Sequence, residues 1–138
     1  LMFGGLSLFD SLIHSFGSAG TGGFSNYADS VGHFDSAYVD GVITVFMILF
    51  GVNFSLYFLI LIKEYKSVWK NEELRAYFGI IAAATAVITF NILPQYGSVT
   101  KAFRYAVFQV GTIITTTGYA TTDFNLWPML SKCILIAL

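Results

Sequence analysis

Two short segments of the chain combine threonine, glycine and an aromatic residue in the same order. The first is Thr21-Gly22-Gly23-Phe24 and the second is Thr116-Thr117-Gly118-Tyr119. Threonine offers a hydroxyl oxygen beside its carbonyl oxygen, and glycine lets the backbone turn its carbonyl without a Cβ in the way. This combination favours coordination of a cation that has lost its water shell. We expect Phe24 and Tyr119 to wedge behind the two segments and hold them open.

Each segment follows a helical pattern that is too short and too polar to cross a bilayer. In the stretches 7–25 and 100–119, apolar residues first recur at helical spacing, and this pattern then ends in a segment rich in glycine and threonine. Setting Gly23 over Gly118 aligns them without a gap at an offset of 95 residues. Non-helical backbone at membrane depth is tolerated only inside protein or along a watery cavity. The pattern therefore predicts two re-entrant pore loops, although a pair of aqueous surface loops stays open as the alternative.

The composition indicates that membrane helices position these loops. Of the 138 residues, 56% are hydrophobic and 11% are charged, whereas about 25% are charged in soluble domains. A formal net charge of -1 supplies no basic face for nucleic acid. The single cysteine, Cys133, gives neither a disulfide framework nor a metal-ligand cluster. Because the chain opens on Leu1 and stops in an apolar run, we expect an internal piece of a longer membrane protein.

Uncharged stretches long enough to cross a bilayer cover 41–62 and 76–100, and Pro94 should end or bend the second near its exit. A third apolar run begins at 124. The linking segment 63–75 holds four of the seven basic residues, which predicts a cytoplasmic loop. We therefore expect an all-α integral membrane fold in which a helix–pore loop–helix unit occurs over 1–62 and again, in part, over 76–138.

Charged and polar residues around the loops suggest how they would treat an ion. Asp29, Asp35 and Asp123 fall near the predicted outer mouth, where they would raise the local cation concentration. Both half-helices end at the loops, so their negative dipole ends would face the ion. For His14, a hydrogen bond that packs the half-helix is favoured over a proton-linked role, which stays open. For Lys132, snorkelling of the ammonium to the outer surface is favoured over a pore-facing role, which stays open.

The chain resembles the membrane subunit of the Trk/Ktr/HKT superfamily of potassium transporters, and most of all its bacterial TrkH type. That family arranges four helix–pore loop–helix repeats around one central pore, as in potassium channels. The likeness extends over nearly all of the chain, to the family's second and third repeats. The segments that carry it are 20–25, 29–36, 51–54, Trp69 with 72–75, 108–119, 122–123 and 127–128.

The resemblance implies potassium uptake across the cell (inner) membrane through a backbone-carbonyl selectivity filter. Thr21–Phe24 and Thr116–Tyr119 would supply half of a fourfold ring, in which Gly23 and Gly118 match the single filter glycine of each repeat. It also implies several partners: the two remaining repeats, a second copy of the membrane subunit, a cytosolic nucleotide-binding regulatory subunit and membrane lipid. No cofactor and no nucleic acid are implied, with potassium as the substrate.

Two other function classes stay open from the residues alone. A secondary transporter could bind an organic solute between re-entrant hairpins, but the repeated Thr-x-Gly-aromatic strand suits a bare ion better. A membrane enzyme could use 17–25 as a phosphate loop, but phosphate loops precede a helix and these glycines follow one. No lysine lies near Gly23 and no catalytic constellation is visible, so we expect no enzyme.

Overall fold

The chain folds into helices joined by short turns and loops. A computed structural model describes residues 1–138, the side chain at position 67 excepted. The described residues form α-helices and short 3-10 helices without a strand, which confirms the all-helical class. The α-helices are α1 (Leu8–Ala19), α2 (Ala37–Phe50), α3 (Phe54–Leu61), α4 (Tyr65–Lys70), α5 (Glu72–Tyr96), α6 (Val99–Ile114) and α7 (Met129–Ala137), and the 3-10 helices cover Met2–Gly4, Ser30–Phe34 and Phe124–Leu126.

Helix α5 is the one helix of the described residues that is long and apolar enough to cross a membrane by itself. It begins where the Asn71 side chain accepts a hydrogen bond from the Leu74 N–H at 2.9 Å. It ends at Gly97, whose φ of 63° closes the helix three residues after Pro94, which lies in the last turn. The helix therefore starts and stops about one turn earlier than the predicted stretch 76–100.

The predicted span over 41–62 is not one straight helix. Helices α2 and α3 are long and apolar enough to cross a membrane only when taken together, and they are bent by 87° at the break between them. Asn53 begins α3, because its side chain accepts a hydrogen bond from the Ser55 N–H at 3.0 Å. The uninterrupted apolar run conceals this break, and Gly51 and Asn53 are its only local signals.

Helices α1 and α6 are the predicted half-helices. With 12 residues, α1 is about 18 Å long, which is well short of a bilayer core of about 30 Å. The Ser7 side chain begins α1 by accepting a hydrogen bond from the Asp10 N–H at 3.1 Å. Helix α6 has 16 residues and follows α5 after a tight turn at 97–98.

Packing of α6 against α5 and α2 holds the second half-helix in place. Ala102 and Ala106 of α6 are fully buried against Ile88 and Ile92 of α5, so small residues on one helix receive large ones from the other. On its other side α6 packs against α2. Among the alanines of α5, Ala84 belongs to the same buried cluster, whereas those at 82, 83 and 86 are exposed.

Helix α7 begins directly after Pro128, within the third apolar run that begins at 124. Trp127, which precedes the proline, is 2% exposed and its indole N–H donates to the Tyr96 hydroxyl at 3.1 Å. The Lys132 ammonium donates to the Asn125 carbonyl oxygen at 3.2 Å. The side chain thus turns back toward the start of α7, in the direction expected for snorkelling.

Candidate ion-binding site

Equivalent backbone hydrogen bonds close the ends of the two half-helices, where the predicted pore loops begin. In the first loop (20–25), the Gly22 N–H donates to the Gly17 carbonyl at 2.8 Å; in the second loop (115–120), the Thr117 N–H donates to the Thr112 carbonyl at 2.9 Å. Both bonds close a Schellman-type helix end, which normally carries glycine at its left-handed position. The offset between the two bonds is the 95 residues of the sequence alignment. The repeat is therefore present in the backbone as well as in the sequence.

Backbone conformation alternates along both loops in the same way. Thr21 and Gly23 have positive φ angles of 48° and 62°, and the equivalent Thr116 and Gly118 have φ angles of 56° and 89°. A left-handed threonine costs about 1–2 kcal/mol, so both loops store strain at equivalent places. In an extended strand successive carbonyls point in opposite directions. A change in the sign of φ at every second residue turns neighbouring carbonyls to the same side, which is the arrangement needed to surround a cation.

The two loops touch at Gly23. A Cβ added to Gly23 would overlap the Thr117 carbonyl oxygen and lie 3.2 Å from the carbonyl carbon of Gly118. Only glycine fits at this point, because the backbones of the two loops come into contact there. At Gly118, by contrast, an added Cβ would meet no atom of the described residues within 4 Å.

The segments that follow the loops are also joined. The Gly32 N–H donates to the Ala120 carbonyl at 3.0 Å, and the Ala120 N–H donates to the Ser30 hydroxyl at 3.2 Å. A Cβ on Gly32 would approach the Thr121 carbonyl oxygen to 2.9 Å. Hydrogen bonds between successive repeats therefore fix the spacing of the two loops.

The aromatic residues of the two loops have different surroundings. Tyr119 is 1% exposed, and its hydroxyl donates to the Phe24 carbonyl at 3.2 Å. The side chain therefore lies against the first loop. Phe24 is 76% exposed and does not wedge behind a strand within the described residues, contrary to the expectation for that side chain. The second loop thus supports the first from behind.

His14 is fully buried beneath the first loop. Its Nδ1 lies 2.8 Å from the Asp10 carbonyl oxygen and its Nε2 lies 3.2 Å from the Ser25 hydroxyl. The imidazole stacks on Tyr119, with ring centroids 5.6 Å apart and an interplanar angle of 26°. These contacts are the packing hydrogen bonds that the sequence favours for this residue.

The second loop rests on the break between α2 and α3. A Cβ on Gly51 would lie 2.5 Å from the Tyr77 hydroxyl oxygen and 2.7 Å from the Thr115 methyl carbon. The Thr115 hydroxyl lies 2.8 Å from the Thr117 hydroxyl, inside the loop itself. The Tyr77 hydroxyl donates at 3.1 Å to the carbonyl of Ile48, close to the end of α2. The break is thereby part of the support of the loop.

The three predicted outer-mouth acids are exposed and separate into two groups. Asp29 and Asp123 line a polar cleft of about 370 Å³ between the segments that follow the loops. Asp35 does not line this cleft; its carboxylate lies 3.6 Å from the Arg104 guanidinium. Its negative charge is thus partly balanced by a cation of α6.

A buried ion pair joins α2 to α6 and is not predicted by the sequence. The Arg104 Nε donates to the Asp40 carboxylate at 2.7 Å, and the Asp40 side chain is 2% exposed. The partners are 64 residues apart along the chain, so no local pattern links them. The pair ties the second half-helix to the helix that follows the first loop.

Known proteins resemble this chain over nearly all of its length. The chain is 32% identical to the Trk system potassium uptake protein TrkH of Escherichia coli K12, over 99% of its own length and 29% of that protein. It is 35% identical to the protein of the same name from Vibrio parahaemolyticus, over 96% of its own length and 28% of that protein. The crystal structure of the potassium transporter TrkH from Vibrio parahaemolyticus matches it with a TM-score of 0.91 and 33% identity, over 99% of this chain and 30% of that one.

The chain thus spans less than a third of the length of these relatives. A sequence model of one family, described as TrkH, cation transport protein, matches residues 3–138. That match includes both loops, both half-helices and the break between α2 and α3. On the sequence match and the shared fold together, the chain belongs to the TrkH family of cation transport proteins.

Proposed function

We propose that the whole protein takes up potassium across the cell membrane, and that this chain supplies two segments of its selectivity filter. The observation that supports the proposal is the pair of contacting loops in which φ changes sign at equivalent residues. The named relatives are potassium uptake proteins, which agrees with this assignment. We assign the chain to a transporter and not to an enzyme.

In this proposal the carbonyl oxygens of both loops replace part of the water shell of a potassium ion. The ligands come from two segments, namely Thr21, Gly22, Gly23 and Phe24 of the first loop and Thr116, Thr117, Gly118 and Tyr119 of the second. They form half of a ring that the remaining repeats of the protein complete. Helices α1 and α6 both end at the loops, so the negative ends of their dipoles favour a cation there.

The exposed acids act on the ion before it reaches the loops. Asp29 and Asp123 line the cleft beside the loop ends, where their charge raises the local concentration of cations. Asp35 contributes less to this field than the sequence predicts, because Arg104 partly balances it. The outer mouth in this proposal is therefore formed mainly by two acids.

The membrane orientation and the partners belong to the same proposal. The protein lies in the inner membrane of a bacterium. Its basic segment 63–75 is on the cytoplasmic side and the acids are on the outer side. The family resemblance adds a homodimer of the membrane subunit and a cytosolic nucleotide-binding regulatory subunit. The segment between α3 and α5 is the described region that faces such a subunit in this orientation.

Replacement of Gly118 by serine in the full-length protein tests the filter. The substitution strains a backbone with a φ of 89° and adds a side chain beside the carbonyl ring. We expect the ratio of potassium to sodium flux into liposomes to fall by ~10-fold, the effect of losing about one ion–dipole contact.

The matched control is Gly97→Ser, because Gly97 also has a positive φ of 63° and open space at its Cβ position, but lies in the turn between α5 and α6. We expect this variant to keep the flux ratio of the parent protein. Equal ratios for Gly118→Ser and the parent protein would count against the filter assignment.

A further inference from the structure

We propose that neutral His14 is a positioning residue for the first loop, and that its protonation lowers potassium selectivity. The inference rests on the proposed function of the loops. It concerns the hydrogen bond between the His14 Nε2 and the Ser25 hydroxyl, together with the stacking of the imidazole on Tyr119.

The contacts of His14 determine which ring nitrogen carries the proton. A carbonyl oxygen only accepts hydrogen bonds, so Nδ1, at 2.8 Å from the Asp10 carbonyl, must be the donor. In the neutral ring Nε2 is then the acceptor, and it receives the Ser25 hydroxyl proton. The Ser25 oxygen in turn accepts the Tyr27 N–H at 3.2 Å. Every polar atom in this chain of hydrogen bonds has a partner.

His14 supports the Phe24–Ser25 peptide from two directions. On one side its Nε2 fixes the Ser25 side chain, directly after the last residue of the proposed filter segment. On the other side its ring packs on Tyr119, whose hydroxyl donates to the Phe24 carbonyl. The residue thus acts on the filter through Ser25 and Tyr119 without touching the ion.

Protonation of the ring would change the support through Ser25 and would add a positive charge. An imidazolium carries a proton on Nε2, so this nitrogen would donate to the Ser25 oxygen. It could no longer accept the Ser25 hydroxyl proton, which would have to find another acceptor. A positive charge would also lie close to the path of a cation, and it would repel that cation. Histidine is the side chain whose charge ordinarily changes between pH 5 and 8.

The charged and titratable groups around His14 are few. On α1 the Asp10 carboxylate accepts hydrogen bonds from Asn26 at 2.8 Å and from Tyr27 at 3.3 Å. The hydroxyl of Tyr119 faces the site from the second loop.

From the 3-10 helix Ser30–Phe34, the nearest titratable group to His14 is His33, which stacks on Tyr27. The acid on α2, Asp40, is paired with Arg104. A change of charge at His14 is therefore the event that would reorganise the hydrogen bonds beneath the first loop.

The second repeat provides the design of the test. At an offset of 95 residues, Gln109 takes the place of His14, and Ala120 takes the place of Ser25. Gln109 is 2% exposed, and its Oε1 has no hydrogen-bond partner among the described residues. His14→Gln therefore introduces the uncharged residue that the fold already accepts at the equivalent position. Ser25→Ala likewise introduces the residue found at the position equivalent to Ser25.

The experiment measures the ratio of potassium to sodium flux into liposomes for the full-length protein at pH 8 and at pH 5.5. We expect the flux ratio of the parent protein to fall by about 3- to 10-fold at the lower pH. A change of this size corresponds to the loss of one hydrogen bond. His14→Gln should show the same ratio at both pH values. His33→Gln is the matched control, because His33 is exposed, and it should keep the acid sensitivity of the parent protein.

Ser25→Ala keeps the histidine and removes its partner, so it provides an independent result if His14→Gln does not fold. We expect its flux ratio at pH 8 to match that of the parent protein at pH 5.5. An acid-insensitive parent protein, acid sensitivity that persists in His14→Gln, or a parent-like Ser25→Ala would each overturn the inference. Absence of potassium preference in the parent protein at pH 8 would instead contradict the proposed function.

Discussion

Gly23 and Gly118 occupy equivalent places in the two loops, but their neighbours differ. Both residues have a left-handed backbone, so any side chain would be strained at either position. At Gly23 a Cβ would in addition overlap the Thr117 carbonyl oxygen, whereas at Gly118 it would meet open space. One substitution at the two positions therefore separates the effect of steric overlap from the effect of backbone strain.

We expect Gly23→Ala to be the more damaging of the two alanine substitutions. Gly118→Ala should cost about 1 kcal/mol of stability through strain alone, whereas Gly23→Ala must also push the two loops apart. Thermal unfolding of the full-length protein in detergent, with potassium flux measured in parallel, checks the order. Equal losses in the two variants would mean that the loops do not touch at Gly23.

The sequence predicts the residues of the loops better than their surroundings. Alignment at an offset of 95 residues pairs Gly23 with Gly118, and the structure shows the same left-handed conformation at both. The left-handed threonines were not predicted, because a Schellman-type helix end usually signals itself by glycine. The exposure of Phe24 was also not predicted, since it depends on which repeat stands beside the loop and not on local pattern.

At the scale of elements, the break between α2 and α3 shows how an apolar run can mislead. Hydropathy reports that a segment prefers lipid, but it does not report that the segment is straight. Gly51 is needed where Tyr77 and Thr115 approach the backbone, and Asn53 restarts the helix after the break. Those contacts come from α5 and from the second loop, so the sequence of the run itself does not contain them.

The ion pair between α2 and α6 gives a prediction about the stability of the fold. Arg104→Met would leave the buried Asp40 carboxylate without its cation, and we expect a loss of about 3 kcal/mol. The double variant Arg104→Met/Asp40→Leu removes the unpaired charge and should recover most of that loss. Unfolding of the full-length protein in detergent measures both effects.

Arg75→Met serves as the control for this prediction, because Arg75 is exposed on the first turn of α5 and its removal should change stability little. A single variant Arg104→Met as stable as the parent protein would show that the pair does not hold α6. A double variant that stays as unstable as the single one would point to lost packing of the arginine stem.

Over the chain as a whole, charge is divided between the two ends of α5. Four of the seven basic residues lie in 63–75, and Asp29 and Asp123 line the cleft at the other end. The field of exposed charges extends about 30 Å at 0.01 M salt and about 10 Å at 0.1 M. Attraction of potassium by the cleft should therefore depend on ionic strength.

We expect the double variant Asp29→Asn/Asp123→Asn to lower potassium flux by about 3-fold at low ionic strength and to have little effect at high ionic strength. Glu72→Gln makes a change of the same sign in the region that we assign to the cytoplasm, and it should leave uptake unchanged. A loss of flux that is equal in both salt conditions would assign the two acids to ion binding or to folding instead of to long-range attraction.

The contact between the loops has a donor side and an acceptor side: the Tyr119 hydroxyl gives its proton, and the Phe24 carbonyl receives it. Such a head-to-tail interface has no twofold axis, and it closes only when successive copies turn through a complete circle. In the proposed ring, the exposed side chain of Phe24 and the open space at Gly118 would therefore face the repeats that complete it.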